Sequence, residues 1–269
     1  MSDAGAAPLH VRTWGDAAAD TVVVTLHAGI ADSRGWEPVA RLLAADGVRV
    51  LAPDLRGFGD SPDPATDFRH ADDVLAVLDA HVVTAPIVLV GWSMSGTVAL
   101  DLALDHPERV RALALVCSVP EGMERSPEVL RSWELEGQLL DAGDVDGAIA
   151  NDVQTWVAGP HRLVGDVDPG LVAYVTEVSR DLIDREPGSP GEGLDGDRDA
   201  IARLGELRAP LLVVTGTLDT SCHADAARRL VAGAPSARAI EIADTAHLAP
   251  MERPAEVAAA LLAWIRGLD

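Results

Sequence analysis

Short apolar runs along the chain alternate with longer stretches in which apolar residues return every three or four positions. The runs "TVVVTL" (21–26), "VRVLA" (48–52), "IVLVG" (87–91), "ALALVC" (112–117) and "LLVVTG" (211–216) are nearly continuous in apolar character. A strand with one wet face would alternate apolar and polar side chains, so these read as strands buried on both faces. Helical periodicity marks 36–45, 69–82, 95–105, 224–232 and 254–267. This alternation predicts an α/β fold: a mostly parallel, doubly wound sheet with right-handed crossovers. Segments 9–14 and 238–243 are weaker strand candidates that would extend the sheet.

The alternation breaks between about 120 and 205, where three helical patterns follow one another near 126–140, 144–157 and 169–185. The stretch ends in "EPGSPGEGLDGDRD" (186–199), whose Gly, Pro and acidic residues suit a mobile linker. The expected division is a sheet-bearing core, 1–120 and 205–269, with a helical cap, 121–204, inserted between two strands. An insert leaving the carboxyl ends of strands would cover the crevice where ligands bind in such sheets.

Charge narrows the partners. Asp and Glu number 43 against 21 basic residues, a formal net charge of −22. A surface this negative repels phosphate backbones and anionic lipid, so neither nucleic acid nor membrane is expected as a partner. No apolar run approaches the ~18–20 residues that span a bilayer. The start, Met1-Ser2-Asp3-Ala4-Gly5, has neither the basic residues nor the apolar stretch of a secretory leader. With only Cys117 and Cys222 present, no disulfide framework is expected. A cytoplasmic monomer or homodimer is the expectation.

Residues 88–100, "VLVGWSMSGTVAL", hold two serines where a buried strand runs directly into a helix. A strand-to-helix turn this sharp strains its central residue and needs small residues two positions before and two after it. Centred on Ser93, those positions are Gly91 and Ser95; centred on Ser95, they are Ser93 and β-branched Thr97. Ser93 is the better fit. Taken alone, it serves equally well as a helix N-cap.

A serine hydroxyl is a poor nucleophile until a base takes its proton, and the base needs a third group to orient it. Two loops at strand ends supply both. Asp219 follows the run 211–216, and His247 lies between the candidate strand 238–243 and the last helix. All three residues would converge at one edge of the sheet. The competitors are weaker: Glu121 sits too far into the insert, Asp244 suits a loop cap, and His223 begins a helix.

Acyl transfer also needs donors for a developing oxyanion. The backbone N–H of Met94 opens the helix after Ser93, and the loop 27–29 offers Gly29, with Ala28 as the alternative. His27 reads as an orienting residue of that loop. In "APDLRGFGDS" (52–61), Asp54, Arg56, Gly57 and Gly59 shape a turn; no G-x-G-x-x-G opens a helix there. Neither H-E-x-x-H nor C-x-x-C occurs, so no metal is expected. Trp36, Trp92, Trp133 and Trp156, with Ala28, are candidate walls of a substrate pocket, although each tryptophan also suits ordinary packing.

The segments "LHAGIADSRGW", "VLAPDLRGFGDSP", "VLVGWSMSGTVAL", "HPERVRALALV", "LLVVTGTLD" and "TAHLAPMERPAEVAAALLAWI" resemble, in this order, the landmarks of the α/β-hydrolase superfamily. The chain order Ser93, Asp219, His247 is also that family's order of nucleophile, acid and base. Among its branches the chain is similar to cap-bearing enol-lactonases, small esterases and cofactor-free haloperoxidase-like hydrolases. A serine at the elbow sets it apart from haloalkane dehalogenases and epoxide hydrolases, whose nucleophile is Asp. His27-Ala28-Gly29 departs from the family's usual His-Gly pair. The resemblance implies a serine hydrolase that cleaves a small carboxylic ester or lactone through an acyl-enzyme. Its partner would be a small-molecule substrate, and it would need no cofactor. A C–C bond hydrolase or a thioesterase would use the same triad, and a ligand sensor that turns over slowly would keep it.

Overall fold

A computed structural model of the chain describes residues 8–185, 191–196 and 199–268. The leader reading of residues 1–5 lies outside them, as do 186–190 and 197–198 of the expected linker.

Among the described residues seven strands form one sheet: β1 (Val11–Trp14), β2 (Val22–Leu26), β3 (Arg49–Pro53), β4 (Ile87–Trp92), β5 (Val110–Val116), β6 (Leu211–Gly216) and β7 (Ala237–Ile242). Their spatial order is β1-β3-β2-β4-β5-β6-β7, with β1 antiparallel to β3 and every other pair parallel. Both weaker strand candidates therefore join the sheet, β1 and β7 at its two edges.

Side chains alternate across the strands, and both faces are covered. Val88, Val90, Ala112 and Ala114 pack on the side of α1 (Glu37–Ala45) and α9 (Pro254–Arg266). Ile87, Leu89, Leu113 and Leu115 pack on the side of α2 (His70–Ala80), α3 (Ser95–Asp105) and α7 (Ser221–Gly233). Each Val, Leu or Ile among them, taken wholly out of water, contributes roughly 1.5–3 kcal/mol. That explains the unbroken apolar runs in the sequence.

The direction of winding reverses at β2. β3 lies on one side of it and β4 on the other. A crevice opens at such a switch point, beyond the carboxyl ends of the two strands. The loops at residues 27–29 and 93–94 leave from those two ends.

Between β5 and β6 stand α4 (Pro127–Asp141), α5 (Val145–Asp152), a π-helical segment (Val153–Ala158) and α6 (Pro169–Asp184). Asp144 and Asp168 cap two of these helices by accepting the N–H of Gly147 and of Gly170. The periodicity predicts one helix over 144–157, but the winding widens after Asp152 and stops at Gly159. That glycine has φ +75°, and a Cβ there would lie 2.6 Å from the Leu218 carbonyl oxygen. Wide turns of this kind re-aim side chains near functional sites. Here it brings Trp156 against His247, with ring centroids 4.8 Å apart.

The helical segment is tied to the sheet layer on several sides. The Tyr174 hydroxyl accepts the N–H of Asp32 at 3.0 Å, and Arg34 meets Glu177 at 2.8 Å. Arg162 pairs with Glu252 at 2.6 Å in a largely buried position. The linker expectation fails for its described part. Phe68 exchanges backbone bonds with Glu192 and Leu194 (3.0 and 2.9 Å), and Asp195 holds His70 at 2.7 Å. His70 is largely buried in that pair. Among the described residues no helix is long and apolar enough to cross a membrane, and Cys117 and Cys222 are both buried free thiols.

Candidate active site

Ser93 occupies the turn between β4 and α3 with φ +57°, a backbone region that L-residues other than Asn and Asp rarely enter. The surroundings hold it there. Its N–H donates to the Val116 carbonyl at 2.9 Å, and its carbonyl accepts the Ser118 hydroxyl at 2.7 Å and the Gly96 N–H at 2.9 Å. A Cβ at Gly91 would lie 2.6 Å from the Ser95 carbonyl oxygen, and one at Gly96 would strike the Ser118 side chain. The turn closes only with glycine at both places.

Ser95 does more than keep this turn small. Wholly buried, its hydroxyl accepts the Trp92 N–H at 3.0 Å and donates to the Leu26 carbonyl at 2.9 Å. It braces the elbow to the end of β2, a role that the size argument alone does not reveal. Ser95→Ala leaves the buried Trp92 N–H without its acceptor, at a cost of about 1–3 kcal/mol. The expected outcome is a thermal midpoint lowered by several degrees in calorimetry. An unchanged midpoint would mean that the brace carries no stability.

Three residues from three strand ends meet above this turn. His247, after β7, places Nε2 2.6 Å from Ser93 Oγ, and its Nδ1 lies 3.0 Å from Asp219 Oδ2, after β6. The His247 loop is fixed from below. Its carbonyl accepts the Trp92 indole N–H at 2.9 Å, and the Glu252 carboxylate accepts both the Thr245 hydroxyl and the Ala246 N–H (2.9 and 3.0 Å). Asp219 Oδ1 accepts the Thr220 N–H at 2.8 Å. Neither competing acid takes the Asp219 position: Glu121 is exposed and meets Arg125 at 3.5 Å, and Asp244 sits in an exposed turn with φ +56°.

His223 is the residue that sequence reasoning passed over. Its Nδ1 lies 3.2 Å from Asp219 Oδ1 and 2.8 Å from the Thr220 hydroxyl, and its ring stands edge-on to His247 with centroids 4.9 Å apart. The signal was present: four residues separate Asp219 from His223 across a helix start, a spacing that brings side chains together. Asp219 is thus shared between two imidazoles, one on each oxygen.

The electrostatics follow from this sharing. Burial works to raise the Asp219 carboxyl, but His223, His247 and the Thr220 N–H outweigh it and hold the group below its ordinary value. Burial lowers His247, and His223 adds to that effect against the pull of Asp219, so the imidazole is neutral near pH 7. His223 is opposed by burial too, yet Asp219 and Cys222 raise it. Asp219, His223 and His247 also bring one donor atom each within 4.8 Å of one another, a set that could hold a metal ion. The carboxylate oxygens are already engaged by these imidazoles and by Thr220.

The loop after β2 abuts the elbow. A Cβ on Gly29 would lie 3.5 Å from Met94 Sδ, and neither the Gly29 nor the Met94 N–H bonds an acceptor among the described residues. His27 orients this loop. It bonds the Ala28 carbonyl through Nδ1 and the Leu55 N–H through Nε2, both at 2.9 Å, and burial keeps it neutral.

Ser93, His247, Met94 and Gly29 form one wall of a cavity of about 350 Å³, closed on the other side by side chains of the helical segment. Of the candidate pocket walls, Trp133 and Trp156 line it. Trp36, Trp92 and Ala28 do not. Each is wholly buried, because the indole N–H groups of Trp36 and Trp92 are used on the Leu26 and His247 carbonyls and the two rings pack edge to face at 5.6 Å. The Ala28 carbonyl in turn closes the Ala31 turn. The cavity also contains Arg125, Glu136, Asp152 and Ser179, which no motif marked.

A buried parallel sheet wound about a switch point, with Ser, His and Asp gathered at its strand ends, defines a class. A family model described as the alpha/beta hydrolase fold matches residues 21–254, and the chain belongs to that family. It is similar to two pimeloyl-acyl-carrier-protein methyl ester esterases. The one from Aromatoleum aromaticum is 28% identical over 255 residues, 91% of this chain and 98% of that protein. The one from Aeromonas salmonicida is 33% identical over 208 residues, 74% of this chain and 77% of that protein. Among solved structures, the enol-lactonase from Burkholderia xenovorans LB400 shares the fold with a TM-score of 0.75 at 22% identity, over 96% of both chains.

Proposed function

We propose that this chain is a serine hydrolase that cleaves a small carboxylic ester or lactone, with Ser93 as nucleophile, His247 as base and Asp219 as its orienting acid. The observation that carries this reading is the continuous path of 2.6 and 3.0 Å from Ser93 Oγ through His247 to Asp219, opening on a cavity large enough for a small ligand. In this reading residues 121–204 are a cap that closes the crevice, and relatives named as esterases favour ester cleavage over the other bonds that such a triad can break.

The roles follow from the geometry. His247 Nε2 takes the Ser93 proton as Oγ attacks the carbonyl carbon, and the carbonyl oxygen becomes an oxyanion between the Met94 and Gly29 N–H groups. Collapse of that intermediate expels the alcohol, which receives the proton from His247. Water then gives a proton to His247 and attacks the acyl carbon, and the acid is released as His247 returns that proton to Ser93 Oγ. The positive φ of Ser93 lifts Oγ clear of the sheet for this attack.

The pH profile tests the assignment of the base. Only neutral His247 accepts a proton, and burial holds its pKa below the ordinary 6.5. Activity is therefore lost as pH falls through a value below 6.5 and is level above it. The expected kcat/KM profile on a short p-nitrophenyl ester has its acid limb entirely on that side. A limb centred above pH 7 would assign the base to another group.

A further inference from the structure

Asp152, the last residue of α5, is only 6% exposed and faces the same cavity as Ser93 and His247. Among the described residues its one side-chain partner is the Ser179 hydroxyl, at a long 3.5 Å. No cation meets it. Arg125, the only arginine among the described residues that line the cavity, is turned to the Met123 carbonyl at 2.8 Å, to Glu121 at 3.5 Å and to the Trp133 ring at 5.8 Å. A second carboxyl, Glu136 on α4, lines the cavity as well. Burying a carboxyl without a counter-charge is costly, and structures keep such groups where a ligand completes them.

We propose that this part of the cavity takes a primary ammonium group, so that the preferred substrates are small esters or lactones carrying a cationic amine away from the scissile bond. This deepens the hydrolase reading and rests on it for the word substrate. Asp152 supplies the buried anion, Glu136 adds to the negative potential, and the Ser179 hydroxyl can turn to accept. Trp133 and Trp156 give the cavity aromatic surface that suits a desolvated cation. The formal net charge of −22 draws cations to the molecule as a whole. Burial and the neighbouring Glu136 push Asp152 up to about 7, and a bound ammonium would favour its charged form.

Binding can be measured apart from turnover. In the Ser93→Ala protein, calorimetry with a graded series of primary alkylammonium ions and alkanols of matching length should show the ammonium bound at least tenfold tighter at the best length. Asp152→Asn in that background should reduce the ammonium to the affinity of the alkanol, the loss of a charged hydrogen bond amounting to roughly 10- to 100-fold. In the wild type, kcat/KM for methyl ω-aminoalkanoates and for acetates of ω-amino alcohols should exceed that of isosteric alkyl esters in at least one series. Asp152→Asn should abolish that preference.

The pH dependence gives a reading that needs no variant at Asp152. Alkylammonium ions stay charged throughout, so their advantage should fall as pH drops through about 7 and Asp152 becomes protonated. The groups facing the cavity that could also titrate are Glu136 and Glu121, the two histidines 223 and 247, and Cys222. Ammonium and alkanol are compared at each pH to cancel effects common to both. Equal affinity for ammonium and alkanol at every length, or a preference that survives Asp152→Asn, overturns the proposal. Intact ammonium binding without hydrolysis of any ester would instead overturn the hydrolase reading and leave the cation site standing.

Discussion

Ser93→Ala is expected to lower kcat on short p-nitrophenyl esters by on the order of 10⁶-fold, to the level of the oxyanion donors alone. A fluorophosphonate probe should add its mass to the wild type and to Ser95→Ala, and not to Ser93→Ala. The distinction is physical. The Ser93 hydroxyl has one bond, to His247, and its loss leaves no buried group of the scaffold unpaired, so the thermal midpoint should stay close to that of the wild type. The Ser95 hydroxyl bonds only the scaffold, at the Trp92 N–H and the Leu26 and Trp92 carbonyls, and does not meet His247. One serine should therefore read out in rate and the other in stability. Labelling of Ser93→Ala would move the nucleophile to Ser95. A wild type that neither labels nor turns over any ester would leave a ligand sensor of this fold as the better account.

The parts legible in the sequence are those in which local chemistry and global packing demand the same residues. The runs 21–26, 87–91 and 211–216 read as buried strands because helices cover both faces of the sheet, leaving no wet side to impose alternation. The elbow was legible because its turn excludes large side chains: Gly91 sits where a Cβ would collide, and Ser95 is the small residue two positions past Ser93. Ser93, Asp219 and His247 are far apart in sequence, yet each follows a strand, so parallel topology alone brings them to one edge.

What stayed hidden depends on contacts between distant segments. Trp36 and Trp92 read as possible pocket walls, but an indole wall and an indole brace look alike until the N–H acceptors are known. The π-helical turn at 153–158 has no periodicity signature of its own; it follows from how Gly159 passes the Leu218 carbonyl. Asp152 belonged to an ordinary amphipathic pattern. Nothing in its neighbourhood told that α4 and α6 would close over it and exclude water. The linker 186–199 read as mobile from composition, whereas 191–196 are held by Phe68 and His70 more than a hundred residues away.

Asp219→Asn is expected to reduce kcat by on the order of 10⁴-fold, the cost of presenting the base in the wrong tautomer. The carboxylate can only accept, so it fixes the proton of His247 on Nδ1 and leaves Nε2 free to receive the Ser93 proton. An amide can turn its NH₂ toward Nδ1 instead, which moves the imidazole proton to Nε2, where it blocks the transfer. This chain adds a second consequence. Asp219 is the strongest of the influences that raise His223 against the opposing effect of burial, so its neutralisation should lower the His223 titration midpoint. NMR of the ring protons follows that change independently of turnover, and it separates an electrostatic effect from mere unfolding. If Asp219→Asn keeps activity within tenfold of wild type, the orienting acid is another group. Glu121, which also reaches the cavity, is the first to test, through Glu121→Gln. If activity falls while His223 titrates as before, the lost rate stems from the tautomer of His247 alone, and the second imidazole on Asp219 has no part in poising the site.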